Sequence, residues 1–355
     1  MSKVKKIICT GGGTLGSVTP LLAVINELKG RGDFEFEWWG TSDGPEVKIV
    51  KDLGINYKII AAGKLRRYLS MENFKDLGRI VWGFAESLWN FGLAKPAAVL
   101  TAGGYVAVPV GYAAYFYDVP LFVHQEDIKP GLANKLLAPI ADVITVSFKK
   151  SMQDYPSAKT KFVGNPVRSE FLSPPTQEAA QHKLNLAAGK TTILIMGGGT
   201  GSEFLNELVK KVLPDLLSKY QIIHLTGLGK NSDYQSLPNY RVEAITTTII
   251  YHMMAADVVI SRAGLATISE LSALGKPALI IPLFGTHQEA NAEYLNKEQA
   301  AVVISQPDLT PETLVATLDR LLNSPAQLAT LSKNIYSLMP KDSAQLMAQE
   351  IIKHT

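Results

Sequence analysis

The chain has one cysteine among 355 residues, no apolar run long enough to span a membrane, no Asp-X-Asp motif and a net charge of only +3. Each scarcity excludes something. A single cysteine cannot form an internal disulfide, and Cys9 sits in an apolar, strand-like run, so it reads as a small buried hydrophobe in a reducing compartment. Without roughly 18 or more consecutive apolar residues, the protein is expected to be soluble or peripheral. The opening MSKVKKIICT sets lysines before a very short apolar run with no cleavage site, which argues against a secretory signal. So small a charge, with no nucleic-acid motif, makes no case for nucleic acid as a partner. The paired carboxylates that would hold a divalent metal are missing, so neither a metal nor another cofactor is expected.

Hydrophobic residues make up 46% of the chain, which suits two medium domains with full cores. Strand-like and helix-like stretches alternate from the start, as in α/β proteins. Residues 5–10 read as a strand, Gly11 to Ser17 as a glycine-rich loop, and Pro20 opens a helix to about Lys29. The same grammar restarts at 192–196, with Gly197-Gly198-Gly199-Thr200-Gly201-Ser202 leading into a helix. Between the two halves lies a Pro-rich polar break, SPPTQEA, which reads as a hinge. The expected domains are 1–166 and 167–340. The tail 341–355 is a helix that returns to the first domain.

The most informative stretch is VVISRAGLATISELSALGKPALIIPLFGTHQEAN, residues 258–291. A buried strand, a turn at Arg262-Ala263-Gly264, a helix carrying Ser269 and Glu270, a second strand and the polar Thr286-His287-Gln288 follow one another. In a parallel sheet, ligands bind beyond the carboxyl ends of strands, so both polar segments belong to one rim. Gly264 admits close backbone approach, and the helix after it turns unpaired N–H groups toward an anion. Glu270 can accept two hydrogen bonds from a ribose diol, and Gln288 offers a donor and an acceptor.

Residues 63–93 mix Lys64, Arg66, Arg67, Lys75 and Arg79 with Leu65, Tyr68, Trp82, Phe84 and Trp89. That surplus of cations beside aromatic groups fits either a lipid headgroup layer or basic side chains lying over their own domain.

GGTLGSVTP (12–20), GGYVAVP (103–109), HQED with GLANK (124–127, 131–135), VGNPVR (163–168), GGGTGS (197–202), RAGLATISE (262–270) and HQEANA (287–292) occur in that order. The chain thereby resembles the MurG-like glycosyltransferases over essentially its whole length. The resemblance implies a GT-B fold, two Rossmann-like domains with mostly parallel sheets facing across a cleft, the domain 1–166 binding the acceptor and associating with the membrane and the domain 167–340 binding the UDP-sugar. It also implies inverting transfer of N-acetylglucosamine from UDP-N-acetylglucosamine to a lipid-linked N-acetylmuramyl-pentapeptide in peptidoglycan synthesis. The partners would be that donor, the polyprenyl-diphosphate-linked muramyl peptide and the anionic inner leaflet, reached from the cytoplasmic face as a peripheral enzyme. Another lipid or glycan acceptor, a UDP-sugar 2-epimerase and a non-catalytic nucleotide-sugar binder are the alternatives.

By position, the resemblance sets the pyrophosphate near Gly199, Thr200, Gly201 and the turn at Ala263 to Thr267, and counts Arg262, Gly264, Leu265, Ala266, Thr267, Ile268 and Ser269 among the donor-binding residues. It sets the ribose on Glu270, the sugar near Gln288 and Asn291, Arg168 on the phosphates, and the main chain at Thr246 on uracil. On the acceptor side it implies Thr14, Leu15, Gly16, Ser17, Tyr105, Asp127 and Asn134. Leu15 stands where the family has glycine, Ser17 where it has histidine, HQED where it has HEQN, and Gly199 where it often has serine. A serine does not remove a proton near neutral pH, so the general base is expected at the 124–127 rim. Asp127 leads, with His124 as its orienting or alternative partner and Glu126 beside them. His124 as a hydrogen-bonded framework residue and Asp127 as a turn cap are the structural alternatives.

Overall fold

The structure, a computed structural model, describes residues 4–13, 16–63, 71–231 and 234–355, with no side-chain description for 71–77. The described chain divides into two compact units, 1–168 with 340–355, and 169–339.

Unit 1 holds β1 (Lys5–Thr10), β2 (Phe34–Gly40), β3 (Asn56–Ile59), β4 (Ala98–Thr101), β5 (Leu121–Gln125), β6 (Val143–Val146) and β7 (Thr160–Phe162) in the order β3-β2-β1-β4-β5-β6-β7, all parallel. Unit 2 holds β8 (Thr192–Met196), β9 (Gln221–Leu225), β10 (Tyr240–Glu243), β11 (Val258–Ser261), β12 (Ala278–Ile280) and β13 (Val302–Val303) in the order β10-β9-β8-β11-β12-β13, again parallel. Central strands such as AVLT, VITV, TILIM and VVIS are buried along their length. Helices cover both faces of such sheets, so the strands read as continuous apolar runs instead of alternating ones. Each sheet reverses its order once, between β1 and β4 and between β8 and β11, and a crevice opens at the carboxyl ends there.

The last helix, Ser343–His354, packs on the helix Thr19–Lys29 of unit 1. Its Met347, Ala348 and Ile351 join the core of Ile7, Leu21 and Trp38. Lys161 is paired with Glu350. The Pro-rich break read as a hinge lies instead inside unit 2, where Thr176 caps the helix Gln177–Lys183 by accepting from the Ala179 N–H at 3.2 Å. Sequence reading also passed over β10, because Tyr-Arg-Val-Glu at a sheet edge carries too little apolar signal.

Candidate functional site

The carboxyl rim of unit 2 is built at the crevice between β8 and β11. After β8 the chain runs through Gly197–Gly201 to Ser202, which begins the helix Glu203–Leu217 and accepts the Leu205 N–H. After β11 it turns at Arg262-Ala263-Gly264 into the helix Leu265–Leu274, whose first turn no side chain caps. Uncapped N–H groups at a helix start favour an anion, through their direction and the partial charge of the helix. Glycines 199 and 264 have ordinary backbone angles, and a Cβ at either would meet no protein atom within 4 Å. The fold does not require glycine at these two points, so the open space is available to a ligand. Gly201 is different, with φ +71 and a Cβ that would fall 2.0 Å from the Thr226 carbonyl oxygen.

Arg262 lies 7% exposed beneath this rim. Its Nη2 and Nε donate to the Ser202 hydroxyl at 2.8 and 3.2 Å, and its Nη1 donates to the carbonyls of Ile281 and Pro282 at 3.2 and 3.1 Å. The guanidinium also stands 5.6 Å from the Phe204 ring centre. One side chain thus joins the glycine loop, the β11 turn and the segment after β12, which corrects its reading as a direct ligand contact. Asn291 has the same character: fully buried, it donates to the Ala263 carbonyl at 3.1 Å and holds the turn from behind. Leu265, Ile268 and Ser269 are buried too, so the helix start offers its main chain there. Ala266 and Thr267 reach the surface, and Glu270 is partly exposed one turn along. Gln288 accepts the Leu283 N–H at 3.1 Å, and Thr246 accepts the Thr248 N–H at 3.1 Å, so each fixes the loop it belongs to.

Unit 1 has a cavity of about 550 Å³ at its own crevice, lined among others by Gly12, Gly13, Ser17, Gly104, Tyr105, Glu126, Asp127 and Asn134. Cavities of about 540 and 590 Å³ in unit 2 follow its edge strands β10 and β13, not the β8–β11 rim. Among the cavity-lining groups, Glu126 and Asp127 are adjacent and partly exposed. Desolvation, with the Asp127 charge adding to it, holds the Glu126 carboxyl well above the usual carboxylate range.

His124 is not available as a base. Its ring is 0% exposed, with Nδ1 2.9 Å from the Thr145 hydroxyl and Nε2 3.0 Å from Asn165 Oδ1 and 3.2 Å from Ser147. Burial lowers its pKa to about 4, with the Asn165 bond opposing. It is therefore a framework residue joining β5, β6 and the VGNPVR segment, as buried histidines with both nitrogens occupied are. Asn134 is 4% exposed, and its Nδ2 donates to the His124 carbonyl at 3.0 Å and Gln125 Oε1 at 2.7 Å. Thr14 and Leu15 lie outside the described residues; Gly16 is exposed, Ser17 is buried at the cavity, and Arg168 is exposed at the end of the first segment of unit 1. Among the described residues, no group of three His, Cys, Asp or Glu is placed to hold a metal ion.

Residues 7–146 match the glycosyltransferase family 28 N-terminal domain, and residues 192–351 match its C-terminal domain. The chain belongs to glycosyltransferase family 28. A Clostridium kluyveri protein named UDP-N-acetylglucosamine–N-acetylmuramyl-(pentapeptide) pyrophosphoryl-undecaprenol N-acetylglucosamine transferase is 37% identical to it over 347 residues, 96% of each chain. The Clostridium botulinum protein of the same name is 37% identical over 358 residues, covering 98% of each. Among solved structures, Acinetobacter baumannii MurG superposes with a TM-score of 0.78 at 26% identity, over 98% of this chain and 99% of that one. A Neisseria meningitidis UDP-GlcNAc 2-epimerase shares the fold, with a TM-score of 0.68 at 15% identity, over 98% and 100%. The two Rossmann-like units of this family 28 chain are thus the GT-B architecture.

Sequence reading missed Glu46 in this family 28 chain altogether. A lone glutamate at a helix start looks solvated, yet Glu46 is 0% exposed beneath the first glycine loop.

Proposed function

We propose that this family 28 enzyme transfers N-acetylglucosamine, with inversion, from UDP-N-acetylglucosamine to the C4 hydroxyl of a polyprenyl-diphosphate-linked N-acetylmuramyl-pentapeptide, the lipid I to lipid II step of peptidoglycan synthesis. The observation that carries this is the 37% identity, over 96% of the chain, to a transferase of that name. Unit 2 takes the donor. The N–H groups opening the helix Leu265–Leu274 and the loop at Gly199 to Gly201 receive the diphosphate, Glu270 the ribose diol and Gln288 the sugar, with the main chain at Thr246 on uracil. The acceptor sugar occupies the unit 1 cavity by Tyr105. The Glu126–Asp127 pair takes the proton from its C4 hydroxyl as that oxygen bonds to the anomeric carbon and the bond to UDP breaks.

The acceptor is a lipid, and unit 1 carries an apolar face suited to one. On the helix Met71–Leu93, Trp82, Trp89 and Leu93 are 68, 71 and 71% exposed and share one side at i, i+7 and i+11. Tyr115 and Phe116 on the packed neighbour, Ala107–Phe116, are 61 and 69% exposed. Among the described residues no helix is long and apolar enough to cross a membrane. The reading is peripheral attachment to the anionic cytoplasmic leaflet. Lys64, Arg66 and Arg67 lie outside the described residues, as does the Lys75 side chain.

Mass spectrometry after incubation with UDP-N-acetylglucosamine and a short-chain lipid-linked acceptor tests the reaction. One added N-acetylhexosamine on the acceptor, with release of UDP, is expected. A 2-epimerised sugar nucleotide, or binding without product, would overturn it.

A further inference from the structure

The same strand, glycine loop, helix grammar opens both units, but the loops rest on opposite charges. Beneath the unit 2 loop lies the guanidinium of Arg262; beneath the unit 1 loop lies the carboxylate of Glu46. Glu46 begins the helix Glu46–Asp52 that follows β2. Its Oε2 accepts the Gly13 N–H at 3.1 Å, and its Oε1 accepts the Thr41 N–H at 3.1 Å and the Thr41 hydroxyl at 2.5 Å, with the Tyr57 hydroxyl, which donates to the Thr41 carbonyl at 2.6 Å, standing 3.4 Å away. Each of these donors is neutral.

The layers above it have no slack. A Cβ on Gly12 would fall 2.2 Å from Glu46 Oε1. Gly13, at φ +84, lies against the Tyr105 ring, with only 3.1 Å between its Cβ position and Cε1. Gly104, at φ +89, lies so close that its Cβ would meet the Gly12 oxygen and nitrogen at 3.0 and 3.1 Å. The stack therefore runs Glu46, Gly12–Gly13, Gly104–Tyr105, and its upper layers line the 550 Å³ cavity.

We propose that Glu46 is a positioning residue of the acceptor half-site: its carboxylate holds Gly13, and through Gly13 the Tyr105 wall of the cavity. This rests on the reading that the cavity takes the acceptor. A buried carboxylate suits the task because both its oxygens accept and neither donates. In Glu46→Gln an amide NH2 must replace one oxygen. Toward Thr41 it would oppose an N–H and end the donation from the Thr41 hydroxyl; toward Gly13 it opposes a single N–H. The second arrangement disturbs fewer partners, so the isosteric change releases the glycine loop in particular. Thr41→Val is the control, since it removes a hydroxyl bond to Glu46 and the Gly44 N–H bond to the same hydroxyl without touching Gly13.

The test is steady-state kinetics on both variants, with donor affinity and hydrogen exchange of the peptide carrying Gly13. Glu46→Gln should raise the acceptor KM ~10-fold or more, the loss of one hydrogen bond to a charged group, with UDP-N-acetylglucosamine affinity within about twofold. Exchange at Gly13 should quicken in Glu46→Gln and not in Thr41→Val. An unchanged acceptor KM in folded Glu46→Gln, or equal effects of the two variants, would overturn the proposal. The exchange measurement needs no substrate: unaltered Gly13 exchange rejects Glu46 as the anchor, whereas absence of any transfer by wild type rejects the functional reading alone.

Discussion

Arg262 donates twice to the hydroxyl oxygen of Ser202, at 2.8 and 3.2 Å, across the point where the unit 2 sheet reverses its strand order. A residue at the end of β11 thereby fixes the residue that begins the helix after β8. Lysine cannot reproduce this, since a single ammonium cannot span the hydroxyl and two carbonyls that the planar fork reaches. Arg262→Lys should destabilise unit 2 by about 2 to 4 kcal/mol and weaken the donor roughly tenfold or more. Denaturant unfolding and calorimetric titration with UDP-N-acetylglucosamine would show both. Wild-type values for the two would mean the fork is dispensable.

Gly264 separates ligand needs from folding needs. Its backbone is one any residue adopts, with nothing nearby for a Cβ to strike. Gly264→Ala should leave stability within about 0.5 kcal/mol of wild type or slightly raise it. The methyl group would face the proposed diphosphate, so donor affinity should fall roughly tenfold. Unaltered affinity would move the anion elsewhere.

The Glu126–Asp127 pair can be tested by pH. Glu126 has a folded-state pKa raised above the unfolded one, so its contribution to stability is present at low pH and lost as pH rises through the raised value. Glu126→Gln should accordingly raise the unfolding midpoint above neutrality. The base must be ionised, so wild-type kcat/KM should fall as pH drops through that value. Glu126→Gln or Asp127→Asn should cut kcat roughly 100-fold or more with donor affinity unchanged. If both amides leave kcat intact, the proton goes to another group.

Two buried imidazoles set the acid limit. His124 in unit 1 and His224 in unit 2 are each lowered by burial from 6.5 to about 4. A lowered histidine contributes stability in full above about 6.5 and loses it as pH falls toward about 4, because the unfolded chain takes the proton first. Unfolding free energy should fall over that window, less steeply in His224→Gln. A flat profile between pH 6.5 and 4 would show that the rings are not held neutral.

The apolar face predicts reversible membrane attachment. Wild type should co-sediment with anionic vesicles at low salt, and Trp82→Gln with Trp89→Gln should reduce this without unfolding the protein. Failure of wild type to bind such vesicles would leave the exposed tryptophans without this role.

The sequence by itself determined the two α/β units, their strand–loop–helix openings and the turn-to-helix rim after β11. These follow from local signals: apolar runs for doubly covered strands, glycine before a helix, and Glu270 at a fixed distance from Gly264. Tertiary structure decided what each polar side chain faces. His124 and Asp127 are three residues apart in one motif, yet the first ends on Thr145 and Asn165 inside the sheet while the second reaches the cavity. Arg262 looked like a ligand contact and proved to be a clamp. Glu46 looked solvated and lies beneath a loop 33 residues away in sequence. Partners so distant are chosen by packing and by the cost of leaving a buried charge without donors, and no local pattern encodes either.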